Sequence, residues 1–292
     1  MGTESQYIQY LLSGLTTGSI YALIALALVV TFNITGIFNL AIGEFVTIGA
    51  LTAVSLLHAG LPATLSYCIA VLVAGLVGAL VERATIHPAR NASVLSLIII
   101  TIAVSIVLRG AALLIWKTYP YTLPPFVTAP PLRLLGASLV PQSLFILGLA
   151  VVAVSLLFIF FEFTYTGKAV RAAMMNQTAA RLVGINPGRL SLFAFTFSGA
   201  IAALAGIFIT PITMATYDMG FMLGLKGFVA AILGGVTNAT GAIIGGILLG
   251  VLEAFAAGMV SSGLKDAIAM VVMIAVLLTR PTGILGSTRN SA

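Results

Sequence analysis

The first lysine or arginine in the chain is Arg83, and the only acidic side chains ahead of it are Glu4, Glu44 and Glu82. Such a stretch cannot cover a water-facing surface, because a soluble domain draws roughly a quarter of its residues from Asp, Glu, Lys and Arg. The pattern persists to the end: 7% of 292 residues are charged and 60% hydrophobic, with mean hydropathy +1.19. At about 20 apolar residues per span, the sequence predicts an all-α polytopic membrane protein with about eight to nine transmembrane helices, some broken or half-length. A single transmembrane domain is expected over residues 1–292.

Composition also excludes several classes of function. The net charge of +6 comes from basic residues in short loops beside apolar runs. That pattern orients membrane proteins and does not mark a nucleic-acid surface. The lone cysteine, Cys68, lies in an apolar run, which leaves neither an intrachain disulfide nor a cysteine metal site. His58 and His87 fall at span ends without H-E-x-x-H spacing, so neither a metal nor another cofactor is expected. Gly167-Lys168 is followed by Ala169 and lacks the upstream glycine of a phosphate-binding loop. No acid–base constellation suggests an enzyme. No basic residue precedes the first apolar run, so no cleaved leader is expected.

Spans are expected at about Tyr10–Phe32, from Asn39–Phe45 toward His58, Ala63–Val81, Val94–Trp116, Gln142–Glu162, Leu190–Thr210, Gly241–Phe255 and Leu264–Leu278. A short Leu225–Gly235 run reads as a half-span. Gly14 and Gly18, like Ser198, Ala202 and Gly206, have the four-residue spacing that lets helices approach closely. Six prolines mark 117–141 as an irregular external loop. Ala74–Glu82 weakly echoes Gly245–Glu253, as chance similarity between glycine-rich helices also would.

The most polar run, Thr166–Pro187 within a loop spanning 165–189, reads as a short helix with marked ends. Thr166 is placed to cap it, Gly184 to close it in the left-handed region, and Asn186-Pro187 to start the next helix. Two readings stand for this loop, a docking element or an ordinary topology-setting connection. Arg83, Arg90, Lys168, Arg171, Arg181, Arg189, Arg280 and Arg289 can share one side, against Lys117, Arg133, Lys226 and Lys265 on the other. The excess puts the loop and the C-terminus in the cytoplasm and the N-terminus outside.

Polar residues within spans are costly and tend to face a cavity or a partner. Glu44, beside Asn39 in the interruption after the first span, either lines a solute route or merely caps a helix or pairs with an arginine. Arg109 either snorkels to the outer interface or serves a pore. Glu253 reads as a residue near a span end. Thr101 and Ser105 bond either a solute or their own helix carbonyls. Gly234, Gly235, Gly241, Gly245 and Gly246, around Asn238 and Thr240, fit either two half-helices meeting in a polar turn or close packing.

These segments together resemble the permease subunits of branched-chain amino acid ABC importers of the LivH type. The resemblance rests on GLTTGSIYALIALAL (Gly14–Leu28), NLAIGEF (Asn39–Phe45), ERATIHPAR (Glu82–Arg90) and GKAVRAAMMNQTAARLVGIN (Gly167–Asn186). LKGFVAAILGGVTNATGAIIGGILLG (Leu225–Gly250) and RPTGILG (Arg280–Gly286) complete the set. Leu40 and Ile42 replace the family's usual Phe and His, and Asn176 stands where Asp is common. The resemblance implies a non-catalytic subunit in the bacterial inner membrane that carries a branched-chain amino acid or similar small polar solute. Relatives carry urea, amides and other amino acids. A second permease subunit, two ATP-binding cassette subunits and an external solute-binding protein are the implied partners. Arg171, Ala172, Ala173 and Gly184 would then mark a coupling helix, and Asn39, Glu44, Thr101, Ser105 and Asn238 the solute route. The alternative is a stand-alone secondary transporter or channel.

Overall fold

The computed structural model describes residues 3–134, 137–175, 180, 182–259, 261, 263, 265–280 and 282–285. Asn176, Arg181, Leu264, Gly286 and Arg289, which carried sequence expectations, lie outside them. In chain order the helices are α1 (Thr3–Thr35), α2 (Ile42–His58), α3 (Ala63–Val81), α4 (Val94–Trp116), α5 (Pro141–Phe163) and α6 (Tyr165–Met175). They continue as α7 (Pro187–Thr213), α8 (Met219–Gly234), α9 (Ala239–Met259) and α10 (Lys265–Thr279). A single π turn, Glu82–Ile86, extends α3. The loop expected to be irregular carries a short antiparallel hairpin, β1 (Leu132–Leu134) with β2 (Ala137–Leu139).

Six described helices are long and apolar enough to cross a membrane, and α2 and α8 are shorter apolar helices. They are arranged as a centre and a rim. The most apolar window of α1 is 83% buried, whereas that of α5 is 11% buried. Leu23, Ile24, Leu28, Phe45, Phe195 and Ile207 fill the centre. Leu76, Leu95, Ile106, Val107, Leu156 and Phe158 on α3, α4 and α5 face outward and are exposed on the rim.

Helix α1 sits centrally because its small residues admit a neighbour's backbone. A Cβ on Gly18 would come within 2.8 Å of Ile247 Cα, and one on Gly250 within 2.6 Å of Gly14 O. Replacing Gly18 with leucine is therefore expected to separate α1 from α9. The check is the yield of monodisperse protein in detergent, which should collapse; an unchanged yield would contradict this packing.

The helix ends sort into two faces. At one, Asn33 Nδ2 donates to Thr237 O at 3.2 Å, and Asn238 Nδ2 to Leu285 O at 3.2 Å. The same face holds the π turn and the start of α7, which line one cavity with Thr35. At the other, Trp116 Nε1 donates to Ser55 Oγ at 2.6 Å, and Tyr121 pairs with Ala215. The first described residues of α1 and the end of α10 accordingly leave from opposite faces.

Candidate functional site

The interruption after α1 is built by local chemistry. Gly36 takes φ +72°, a left-handed conformation that ends the helix. Asn39 then accepts the Ala41 N–H on its own Oδ1 at 3.1 Å, closing the turn from which α2 starts. Thr101 holds this turn to α4: its Oγ1 accepts the Leu40 N–H at 3.3 Å and donates to Ile98 O at 2.8 Å. The α2 start lies against the α8 start. Gly43 and Gly220 leave no room for a Cβ on either, and Gly220 N donates to Thr47 Oγ1 at 2.9 Å.

At this junction of two helix N-termini stands Glu44, 1% exposed. Its Oε1 accepts from Ser105 Oγ at 2.8 Å and from Arg109 Nη2 and Nε at 2.6 and 3.2 Å. Phe221, in the first turn of α8, lies 4.4 Å from the guanidinium carbon and covers it with its ring. Arg109 thus pairs inside the bundle and does not snorkel to the outer interface. At this junction two buried polar atoms, Glu44 Oε2 and Asn39 Nδ2, have no hydrogen-bond partner among the described residues. The arrangement offers an acceptor, a donor and a partly exposed guanidinium in one apolar enclosure, with the positive ends of α2 and α8 close by.

Four of the five residues expected on a solute route, Asn39, Glu44, Thr101 and Ser105, are brought together by α1–α2 and α4. Asn238 is not among them. It caps α9 at the end of the bundle, accepting from Thr240 N and Gly241 N at 3.0 and 3.2 Å. The glycines around it serve packing: a Cβ on Gly245 would come within 2.7 Å of Gly234 N. The helix N-termini that meet inside the bundle are those of α2 and α8, not the two sides of the Asn238 turn.

A second charged cluster escaped the sequence reading. Lys226, whose charge is expected on the outer side, is 5% exposed on α8. Its Nζ lies 2.7 Å from Asp266 Oδ1, 3.0 Å from Glu253 Oε1 and 3.2 Å from Tyr21 Oη. Tyr21 in turn donates to Glu253 Oε2 at 2.7 Å. Glu253 is likewise buried and is not a span-end residue. The cluster ties α1, α8, α9 and α10 to one ammonium. Spacing held a usable signal: Lys226 lies mid-run between apolar residues on both sides, unlike any loop lysine.

The loop helix is held more tightly than its sequence alone implied. Only Thr164 separates α5 from α6, and it, not Thr166, caps α6 by accepting the Gly167 N–H at 3.0 Å. A Cβ on Gly167 would collide with the carbonyls of Phe160 and Phe161. Arg171 forms an ion pair with Glu162 and donates to its backbone carbonyl at 3.1 Å, pinning the helix back onto α5. The described part of α6 stops at Met175, short of the single helix expected up to Gly184; nine residues on, Gly184 takes φ +86° and Ile185 N bonds Ala180 O at 3.0 Å, a Schellman-type closure ahead of α7. Asn186 caps α7 through Gly188 N and Arg189 N, as its position ahead of Pro187 suggested. Ala173 is buried within the chain and Ala172 half-buried, while Leu182 and Val183 are 85% and 75% exposed.

Residues 10–277 match the family model described as branched-chain amino acid transport system / permease component. The chain is 32% identical to the high-affinity branched-chain amino acid transport system permease protein LivH of Escherichia coli K12, covering 96% of both chains. It is 33% identical to BraD, the corresponding protein of Pseudomonas aeruginosa PAO1, again over 96% of each. A probable LivH of Methanocaldococcus jannaschii is 32% identical over 92% of this chain and 89% of its own. Among solved structures, PsaBC from Streptococcus pneumoniae in complex with Fab shares the fold at TM-score 0.50. That match has 15% identity and covers 94% of this chain and 92% of that one. Two full-length bacterial relatives, the family match over nearly the whole sequence and a helical bundle of apolar spans converge: the chain belongs to the branched-chain amino acid transport permease family.

Proposed function

We propose that the chain is the membrane-spanning subunit of an ATP-driven importer, carrying a branched-chain amino acid or a similar small polar solute toward the cytoplasm. The supporting observation is the anchored loop helix. Force applied to α6 reaches α5 without slack, because cap, ion pair and missing Cβ fix the two helices together. That is the mechanical requirement for nucleotide-driven closure in separate ATPase subunits to move spans. Arg171 and Ala173 support this helix from within, Ala172 is left partly open to a partner, and Gly184 shapes the turn that leads into α7. The exposed Leu182–Val183 pair supplies the apolar contact that a docking surface needs. In this reading the face bearing the loop is cytoplasmic, the N-terminus is outside, and Glu44, Ser105, Thr101 and Asn39 line the route or gate.

The test is uptake by the full chain, reconstituted with its companion permease and solute-binding protein, with and without ATPase subunits. Uptake undiminished in their absence rejects the proposal. Leu182→Glu should lower co-purification of the ATPase by at least about tenfold, the effect of losing roughly 1.4 kcal/mol at an interface. The thermal midpoint of the permease alone should stay put, since Leu182 is 85% exposed. Unchanged co-purification would remove this surface from the docking site.

One observation favours a gradient-driven carrier instead. Glu253 and Asp266 add acidic groups to the one the sequence placed convincingly inside the membrane, and such carriers use acids to couple ions. Flux driven by a proton or sodium gradient with no ATPase present would decide for that class.

A further inference from the structure

The geometry points to a binding site for the phosphodiester headgroup of an anionic lipid, formed where α3, α4 and α7 meet at the end of the bundle. The π turn and the start of α7 enclose a cavity of about 770 Å³ there. Arg83, Arg90 and Arg189 all line it. Arg109, Arg171 and Lys226 each have a carboxylate partner, but no carboxylate among the described residues pairs with any of these three. The one acid lining the same cavity is buried Glu82, which leaves two positive charges in excess when His87 is neutral. Three guanidiniums around one concavity match phosphate oxygens, which accept paired N–H bonds in the plane of the fork. The π turn bonds His87 N to Glu82 O at 2.8 Å, five residues back, and this wider turn places Arg83 and His87 together on the cavity wall.

The adjoining surface favours a lipid over free phosphate. Leu80, one turn before Arg83, and Val94, Leu95 and Ile99, just after Arg90, are exposed and apolar. They lie on α3 and α4, which the stretch carrying Arg83 and Arg90 joins, and give these helices the exposed apolar surface that acyl chains require and a soluble anion does not. Basic recesses between spans on the cytoplasmic side attract anionic headgroups for this reason. The assignment of that side rests on the importer reading above.

The experiment uses the purified full-length chain in nanodiscs of phosphatidylcholine, with or without phosphatidylglycerol. Retained lipid is read by native mass spectrometry, and the thermal midpoint is measured alongside. Wild type should retain phosphatidylglycerol over phosphatidylcholine by at least about tenfold. Arg83→Gln with Arg90→Gln and Arg189→Gln should erase the preference. Lys168→Gln with Arg280→Gln, which removes exposed cations outside the cavity, should keep it. Equal loss in that control overturns the site, and so does an equal rise in midpoint from inorganic phosphate in phosphatidylcholine alone. A triple variant that keeps its lipid preference but loses ATPase co-purification reassigns the surface to the protein partner. None of these readouts depends on uptake, so failure of the importer reading and failure of the lipid site are separable.

Discussion

Lys226→Met is expected to destabilise the protein by about 3–5 kcal/mol, the cost of removing one partner from a buried ion pair. The substitution leaves Glu253, 4% exposed, and Asp266 facing each other without the ammonium that both now contact. Buried Glu253 then keeps its charge without a counter-ion, and the half-exposed Asp266 beside it adds a like charge that water only partly screens. The thermal midpoint in detergent should fall by several degrees, and protease should cut first near the start of α10, which loses its charged tether. Combining Lys226→Met with Glu253→Gln and Asp266→Asn should restore much of the loss, because the triple change removes the uncompensated charge. If the single variant keeps its midpoint, the cluster is not the junction described here.

Glu44→Gln should abolish most uptake while leaving ATPase binding intact. The carboxylate oxygen that now takes three donors becomes a neutral amide oxygen, and Arg109 remains charged beneath Phe221 with no counter-charge. Losing a buried charged partner costs about 2–5 kcal/mol. Expressed in a transport step, that range corresponds to at least about a thirtyfold loss of rate. Glu44→Gln combined with Arg109→Gln separates the two roles of the pair. Stability should recover because neither charge is stranded, whereas uptake should not if these side chains face the solute. Normal uptake in both variants would remove Glu44 from the route.

Where the chain leaves the membrane was readable from sequence, because turn chemistry is local. Pro62 and Ser93 stand directly before α3 and α4, and both helices occupy the expected residues, Ala63–Val81 and Val94–Trp116. The start of α8 was not readable. A short run from Leu225 to Gly235 is expected from the apolar pattern, whereas the helix begins at Met219. A sequence cannot show that acids 27 and 40 residues downstream will meet one ammonium (253 − 226 and 266 − 226). The same limit applies to the junction. Glu44 and Ser105 were singled out separately, but their contact spans 61 residues and exists only once α4 lies beside α2. Thr164 and Thr166 are both capping residues by type. Thr164 takes the role because its backbone has left the helix, at φ −89° and ψ 153°.

The burial of α1 carries a consequence for how the molecule is made. Of the six candidate spans, α1 is made before the other five and is the most completely enclosed in the finished bundle, and its Tyr21 reaches a carboxylate 232 residues later. At about 5–20 residues per second, that partner is synthesised roughly ten to fifty seconds afterwards. Throughout that interval the glycine face of α1 must rest against lipid, a translocon wall or a holding factor. Assembly therefore cannot proceed by adding finished hairpins in order, and α9 must slot in against a helix made long before it.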